Sequence, residues 1–344
     1  MPDTGSVRGG SGEPWPEVVV HPDAESLALA LATLFVEEAR RAVRAHGGFR
    51  VALAGGSTPR WAYELLARPP FSELVPWADV DVFFGDERCV EPDDPRSNEH
   101  MAREALLDHV PLPAGRIHPM RCRGEGPGGG GGAGKGVAAE GAAGVGAGVA
   151  GALAAGVSGA GGALVPGLTG EGALPEVAAR RAATEYEELL NAYFPRTKEE
   201  RPPEAGSRPH AGAPLELGER GLDLVILGLG DNGHTASLFP GSDALWATER
   251  RVVAAFVDKE AGAGTTAAGE DLWRLTLTAP FINRAAVVVF VVSGSAKAQV
   301  VEEVLEGPPD PERLPAQLIK PRSGSLVWHL DEESAAHIRR RLTP

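Results

Sequence analysis

The chain reads as an α/β protein: a doubly wound, mostly parallel sheet flanked by helices in the Rossmann-like manner. Three observations predict this. Short apolar runs alternate with helical patterns along most of the 344 residues, the order that builds parallel sheets. The run Ala286–Val292, AVVVFVV, has no polar face and must be covered on both sides, as parallel strands are. Several apolar runs end in glycine-rich turns that carry polar residues, where open α/β sheets place their chemistry.

Taken in order, residues 1–16 are rich in Gly, Ser and Pro and are expected to form a disordered tail. Val18–Val20 is a first strand. A helix over 23–46 follows, with Leu27, Leu31, Leu34 and Phe35 at helical spacing. Phe49–Ala54 is a buried strand broken by Gly55-Gly56-Ser57-Thr58-Pro59, and a helix over Arg60–Ala67 comes next. Val80–Phe84 is another strand, followed by a helix over 97–109 and a short strand at Ile117–Met120. Residues 123–174 read as a low-complexity Gly/Ala-rich insertion. The uncharged part, 141–168, is too poor in Leu, Ile and Phe for a convincing membrane span. Glu176–Tyr193 is an amphipathic helix with Ala178, Ala182, Tyr186, Leu189 and Leu190 along one side, and 195–218 is a polar loop. A strand before His234 and strands at Val252–Val257, Arg274–Thr278 and Ala286–Val292 follow, then a helix over Ser295–Leu305 and an edge strand at Ser325–Leu330. No internal repeat is visible, so 17–344 is expected to be a single α/β domain.

The apolar share of 43% suits a soluble protein with a packed core. A net charge of −14 argues against a nucleic-acid surface, which needs clustered Lys and Arg. A small anionic ligand fits if a few cations converge. Cys89 and Cys122 are the only cysteines; their spacing suits no metal, and two do not make a disulfide framework. The start lacks a secretory pattern, so a cytoplasmic protein, a monomer or weak homodimer, is expected, with no cofactor.

The chemistry gathers in four turns. In Leu222–Pro240, LDLVILGLGDNGHTASLFP, an apolar strand runs into a turn displaying His234, whose imidazole can act as a general base. Gly228, Gly230 and Gly233 also match a dinucleotide fingerprint, but Pro240 interrupts the helix such a site needs. A nucleotide-dependent oxidoreductase is therefore the weaker reading. Gly55, Gly56, Ser57 and Thr58 expose backbone N–H groups and hydroxyls at a helix start, an arrangement suited to an oxyanion. In GDER, Arg88 suits a clamp on phosphate or carboxylate, and Asp86 and Glu87 suit either acid–base work or internal ion pairs. Ser97 or Asn98 caps the next helix, with ligand contact as the second role for Asn98. Lys297 stands in the first turn of a helix, against the dipole preference, and Arg274 is a further basic candidate. Together these imply a small phosphorylated sugar-type substrate.

GGSTP (55–59), GDER (85–88), RSNEHMA (96–102), NGHTASLFP (232–240), RLTLT (274–278), SGSAKA (293–298) and LPAQLIKPRSGSLVWHLD (314–331) resemble the 6-phosphogluconolactonases. The matching stretches run in order from about residue 18 to residue 335. The resemblance implies a metal-free hydrolase that converts 6-phosphoglucono-δ-lactone to 6-phosphogluconate in the oxidative pentose phosphate pathway. It implies His234 as the base that activates water. Arg88 and Lys297 would hold the phosphate, helped by Gly55, Gly56, Ser57 and Thr58. The family usually reads Asp-Gly-His, whereas this chain has Asn232-Gly233-His234. Either Asp231 supplies the acid in a shifted role or Asn232 orients the imidazole as a neutral partner. Asn-Gly-His is also the pattern of the related glucosamine-6-phosphate deaminases, but Arg88 and the Thr235–Pro240 stretch favour the lactonases. A deaminase-like enzyme and a non-catalytic sugar-phosphate sensor remain the alternatives.

Overall fold

A computed structural model of the chain describes residues 16–122, 173–195, 221–257 and 272–339. The expected tail 1–16, insertion 123–174 and loop 195–218 fall almost wholly outside them.

Six strands form a fully parallel sheet in the order β1-β9-β8-β5-β2-β3: β1 (Glu17–His21), β2 (Phe49–Leu53), β3 (Val80–Phe84), β5 (Leu224–Leu227), β8 (Val287–Val292) and β9 (Ser325–Asp331). A second, antiparallel sheet of β4 (Asp86–Arg88), β7 (Leu272–Leu277) and β6 (Val252–Val257) stands beside it. The helices are α1 (Ala24–His46), α2 (Ser57–Leu66), α3 (Phe71–Leu74), α4 (Asn98–Ala102), α5 (Ala173–Tyr193), α6 (Ala279–Ile282) and α7 (Ala298–Glu306). Every residue of β3, β5 and β8 is buried; the unbroken apolar runs of β5 and β8 require it, while in β3 the buried Asp81 is paired with Arg116 and His118. Helix α1 starts where Asp23 accepts the Ser26 N–H at 2.7 Å and stops at Gly47, whose φ of 79° favours glycine. It buries Leu27, Leu31 and Phe35 against the sheet, with Phe35 edge-on to Phe49.

The structure differs from the expected elements at several points. Ser325–Asp331 is no edge strand: it lies between β1 and β8, and Trp328 stacks on Phe290 with ring centres 3.9 Å apart. The half-exposed β1 takes the edge instead. Val252–Val257 and the strand containing Arg274 leave the parallel sheet and pair antiparallel with each other. Ile117 makes only an isolated bridge to Val82. The 97–109 helix is the short α4 followed by a π-helical turn at Arg103–Leu107. Helix α5 buries Ala179 and Ala183 beside Ala182, Tyr186 and Leu190, so its inner face is turned slightly from the expected one. Cys89 and Cys122 are bonded to each other, a pairing across 33 residues that spacing could not supply. No helix among the described residues is long and apolar enough to cross a membrane; the Gly/Ala stretch 141–168 lies outside them.

At the sheet edge, His21 and His329 stack with ring centres 5.1 Å apart, and His21 Nε2 lies 2.8 Å from His329 Nδ1. One nitrogen donates and the other accepts, so the bond exists only while at least one ring is neutral. Burial and the neighbouring His21 hold His329 down at about 4, and burial also lowers His21. The folded values lie below the unfolded one, so the contribution is present above about pH 6.5 and is lost as pH falls toward 4. Denaturant titrations should show the protein losing about 2 kcal/mol more between pH 7 and pH 5 than a His329→Phe variant does. Equal slopes for the two proteins would remove His329 as the cause.

Candidate functional site

Strands β2 and β3 succeed one another toward one side of the parallel sheet, and β5, β8 and β9 toward the other. The direction of winding therefore reverses between β2 and β5, which opens a crevice at their C-terminal ends. A cleft of about 400 Å³ lies there, within the range of small-ligand sites. It draws its walls from the turns after β2, β5 and β8 and from the small sheet.

After β2, Gly56 takes φ 103° and starts α2, and after β8 Gly294 takes φ 98° ahead of the turn to α7. Two of the expected strand–glycine–helix turns thus share one geometry. Gly55 is fixed by contact rather than by dihedral, since a Cβ there would lie 1.9 Å from Asn98 Oδ1. Asn98 cannot easily yield, because its Nδ2 donates to the Asp86 carbonyl at 2.8 Å and the Asp86 carboxylate at 3.2 Å. Asp86 also accepts from the Ser237 hydroxyl at 2.5 Å. Glu87 points away from the cleft and gathers the N–H groups of Arg88, Asn98 and Glu99 and the Ser97 hydroxyl. Burial raises its pKa against those four bonds. Ser97 caps α4 by accepting from His100 N–H at 3.1 Å, so capping belongs to Ser97 and the cleft contact to Asn98.

The turn after β5 holds His234 from three sides. A Cβ on Gly230 would stand 2.0 Å from the imidazole, so the bare Gly230 backbone packs against the ring. Phe239 stacks against it, with ring centres 4.1 Å apart. Asn232 Oδ1 lies 2.6 Å from His234 Nδ1. No α-helix starts from this turn, and only a short 3-10 turn at Asp243–Trp246 comes after it, which removes the structural context a dinucleotide fingerprint requires. Gly233 at φ 77° and Ala236 at φ 47° shape the turn; the second is a costly conformation for a residue with a Cβ. Burial, then Arg274, Lys297 and Arg88, push the His234 pKa down to about 3. We expect Gly230→Ala to displace the ring and cut kcat at least tenfold with a smaller change in KM; unchanged kcat would show that the ring tolerates being moved.

The cations differ in their surroundings. Arg88 and Arg274 are cross-strand partners on β4 and β7, an arrangement that like charges disfavour. Arg274 is only 4% exposed, and its Nε has no hydrogen-bond partner among the described residues. Burial, then Arg88, bring its pKa down to about 10. Its guanidinium lies 5.3 Å from the centre of the Phe239 ring. Arg88 donates to the Arg96 carbonyl, while its Nε is likewise unpartnered. Lys297 lines the cleft but is paired with Asp231. Asp231 therefore faces the lysine, and the imidazole partner is Asn232. The eleven residues expected to bind or act on the ligand border this cleft or, for Asn232, contact its histidine; of the two GDER acids Asp86 also lines it, whereas Glu87 serves the start of α4. The sequence reading did not single out Gly230 as the floor under His234, Phe239 as its stacking partner, or Ser237 as the hydroxyl bonded to Asp86. Only their place beside His234 in one motif could have pointed to them. Among the described residues no cluster of His, Cys, Asp or Glu is arranged to hold a metal.

A parallel α/β sheet with a cation-lined cleft at its winding reversal defines the class. The chain belongs to the glucosamine-6-phosphate isomerase/6-phosphogluconolactonase family, whose model matches residues 22–156 and 165–328. Among curated relatives, a 6-phosphogluconolactonase of Synechocystis is 32% identical over 87% of this chain and 88% of its own length. One from Nostoc is 31% identical over 93% of this chain and 98% of its own. The solved 6-phosphogluconolactonase of Trypanosoma brucei superposes with a TM-score of 0.64 at 25% identity, covering 94% of this chain and 98% of that one. A monomeric glucosamine-6-phosphate deaminase superposes at 0.60 with 17% identity, covering 94% of this chain and all of that one, which speaks for the fold only.

Proposed function

We propose that the protein hydrolyses 6-phospho-D-glucono-1,5-lactone to 6-phospho-D-gluconate, the second step of the oxidative pentose phosphate pathway. The observation that carries this reading is an imidazole held by Asn232 on one nitrogen and facing a cleft with two guanidiniums whose Nε atoms are unpartnered. The similarity to 6-phosphogluconolactonases of Synechocystis and Nostoc supports the same activity.

In this reading His234 Nε2 takes a proton from water as the water oxygen bonds to the lactone carbonyl carbon. The carbonyl π electrons move to oxygen, and donors in the glycine turn around His234 stabilise the oxyanion. When the carbonyl re-forms, the bond to the ring oxygen breaks and the imidazolium returns its proton to that oxygen. A low pKa makes His234 a weak base but its imidazolium a strong acid, which suits the ring-opening half of the reaction. The phosphate would sit against Arg88, Lys297 and the Gly55–Thr58 turn, with Arg274 and Asn98 completing the pocket. Its negative charge offsets the cations that depress His234, so the arriving substrate strengthens the base. No cofactor or metal enters. We also read 17–344 as one lactonase domain, working in the cytoplasm as a monomer or weak homodimer. In a reducing cytosol, Cys89 and Cys122 would stand as two thiols.

The test is hydrolysis of freshly generated lactone against its spontaneous rate, alongside ammonia release from glucosamine 6-phosphate and binding of 6-phosphogluconate. Acceleration of the first alone supports the lactonase. Ammonia release would make the protein a deaminase, and binding without turnover would make it a sensor.

A further inference from the structure

The Asn232 carboxamide can be oriented from its contacts. Its Oδ1 lies 2.6 Å from His234 Nδ1 and also accepts the backbone N–H of His234 at 3.3 Å. A backbone N–H can only donate, so the oxygen faces the ring. The oxygen in turn can only accept, so Nδ1 must carry a hydrogen and the lone pair of a neutral ring is left on Nε2. An aspartate at 232 would enforce the same tautomer. It would differ by one full negative charge against the imidazole.

That charge is not supplied from elsewhere in the site. Asp231 is engaged by Lys297. Asp86 is held by Ser237 and Asn98, and Glu87 is turned into the start of α4. The remaining charged groups acting on the ring are the cations Arg274, Lys297 and Arg88. Among the described residues no carboxylate bonds to the imidazole.

We propose that Asn232 is a positioning residue that locks His234 as the Nδ1–H tautomer, with the lone pair on Nε2, without lending the ring charge. The consequence for rate rests on the lactonase reading; the consequence for the histidine does not. An enzyme with this arrangement keeps a flat kcat toward low pH and gives up some base strength in exchange. A carboxylate-backed histidine makes the opposite compromise.

The test is long-range proton–nitrogen correlation spectroscopy of the full-length, ¹⁵N-histidine-labelled protein from pH 4 to 8, with His234→Ala assigning the resonance. Wild type is expected to show the Nδ1–H tautomer with no titration above pH 5. Asn232→Asp should raise the titration midpoint by about one to three units, the usual effect of an adjacent opposite charge. Asn232→Leu should give mixed tautomers. In parallel, kcat at saturating lactone should hold level to lower pH in wild type than in Asn232→Asp. Both proteins face the same substrate phosphate, which itself ionises at about pH 6, so their difference isolates the histidine. An Nε2–H tautomer in wild type, or an unmoved midpoint in Asn232→Asp, overturns the assignment. The expected spectra with identical rate profiles would overturn its catalytic consequence. The expected spectra with no hydrolysis at all would sink the lactonase reading and leave the tautomer assignment standing.

Discussion

Replacing His234 with alanine is expected to lower kcat for lactone hydrolysis by about a hundred- to ten-thousand-fold, the usual range for a positioned general base. Binding of 6-phosphogluconate should survive, because the contacts proposed for the phosphate come from other elements that line the cleft: α2, β4, β7 and the turn before α7. Stability should change little or rise. The ring is pressed between Gly230 and Phe239 among three cations, and alanine removes its cost of ionisation at low pH. A variant that retains full acceleration over the spontaneous rate would show that the cations and the electrophilic lactone need no base. A variant that loses product binding as well as turnover would make the ring a substrate contact.

The parallel sheet was legible because two of its interior strands are written as apolar runs with nothing polar to expose. Val287–Val292 and Leu224–Leu227 admit no other reading. The turns were legible for a related reason: Gly56 and Gly294 occupy φ values that residues with a Cβ avoid. What could not be read was order in space. Whether Ser325–Asp331 lies at the edge or in the interior depends on where β1 lands, and the strands themselves do not encode that. Strand β4 is three residues long and entirely charged, so no period marks it, yet it brings Arg88 opposite Arg274. The Lys297–Asp231 pair and the Cys89–Cys122 bond span 66 and 33 residues, distances at which residue spacing carries no information. Asn232 was the opposite case: a single departure from a local pattern, whose meaning needed only the geometry of one turn.

Arg274 carries the second large effect, and it should act on stability and binding in opposite directions. A buried guanidinium set across from a second one is costly in the empty protein, as its lowered pKa reflects. Arg274→Met keeps much of the volume and can still pack on Phe239 through its sulfur. Without ligand, such a variant should be as stable as wild type or more so, by about 1–2 kcal/mol. Binding should weaken by about 2–5 kcal/mol, a loss of roughly thirty- to several-thousand-fold in affinity for 6-phosphogluconate. Ligand-induced thermal stabilisation would then largely disappear at concentrations that saturate wild type. The same change removes the cation that most depresses His234, so the histidine should titrate higher in the variant than in wild type. These readouts separate the alternatives. If Arg274→Met lost several kcal/mol of stability and bound product normally, the arginine would be part of the frame. If stability rose while binding fell, the empty cleft would be storing a repulsion that the substrate phosphate relieves. Selectivity for a dianionic ligand would then follow from that stored repulsion, because a neutral sugar lactone could make every hydroxyl contact and still leave the two guanidiniums unpaid.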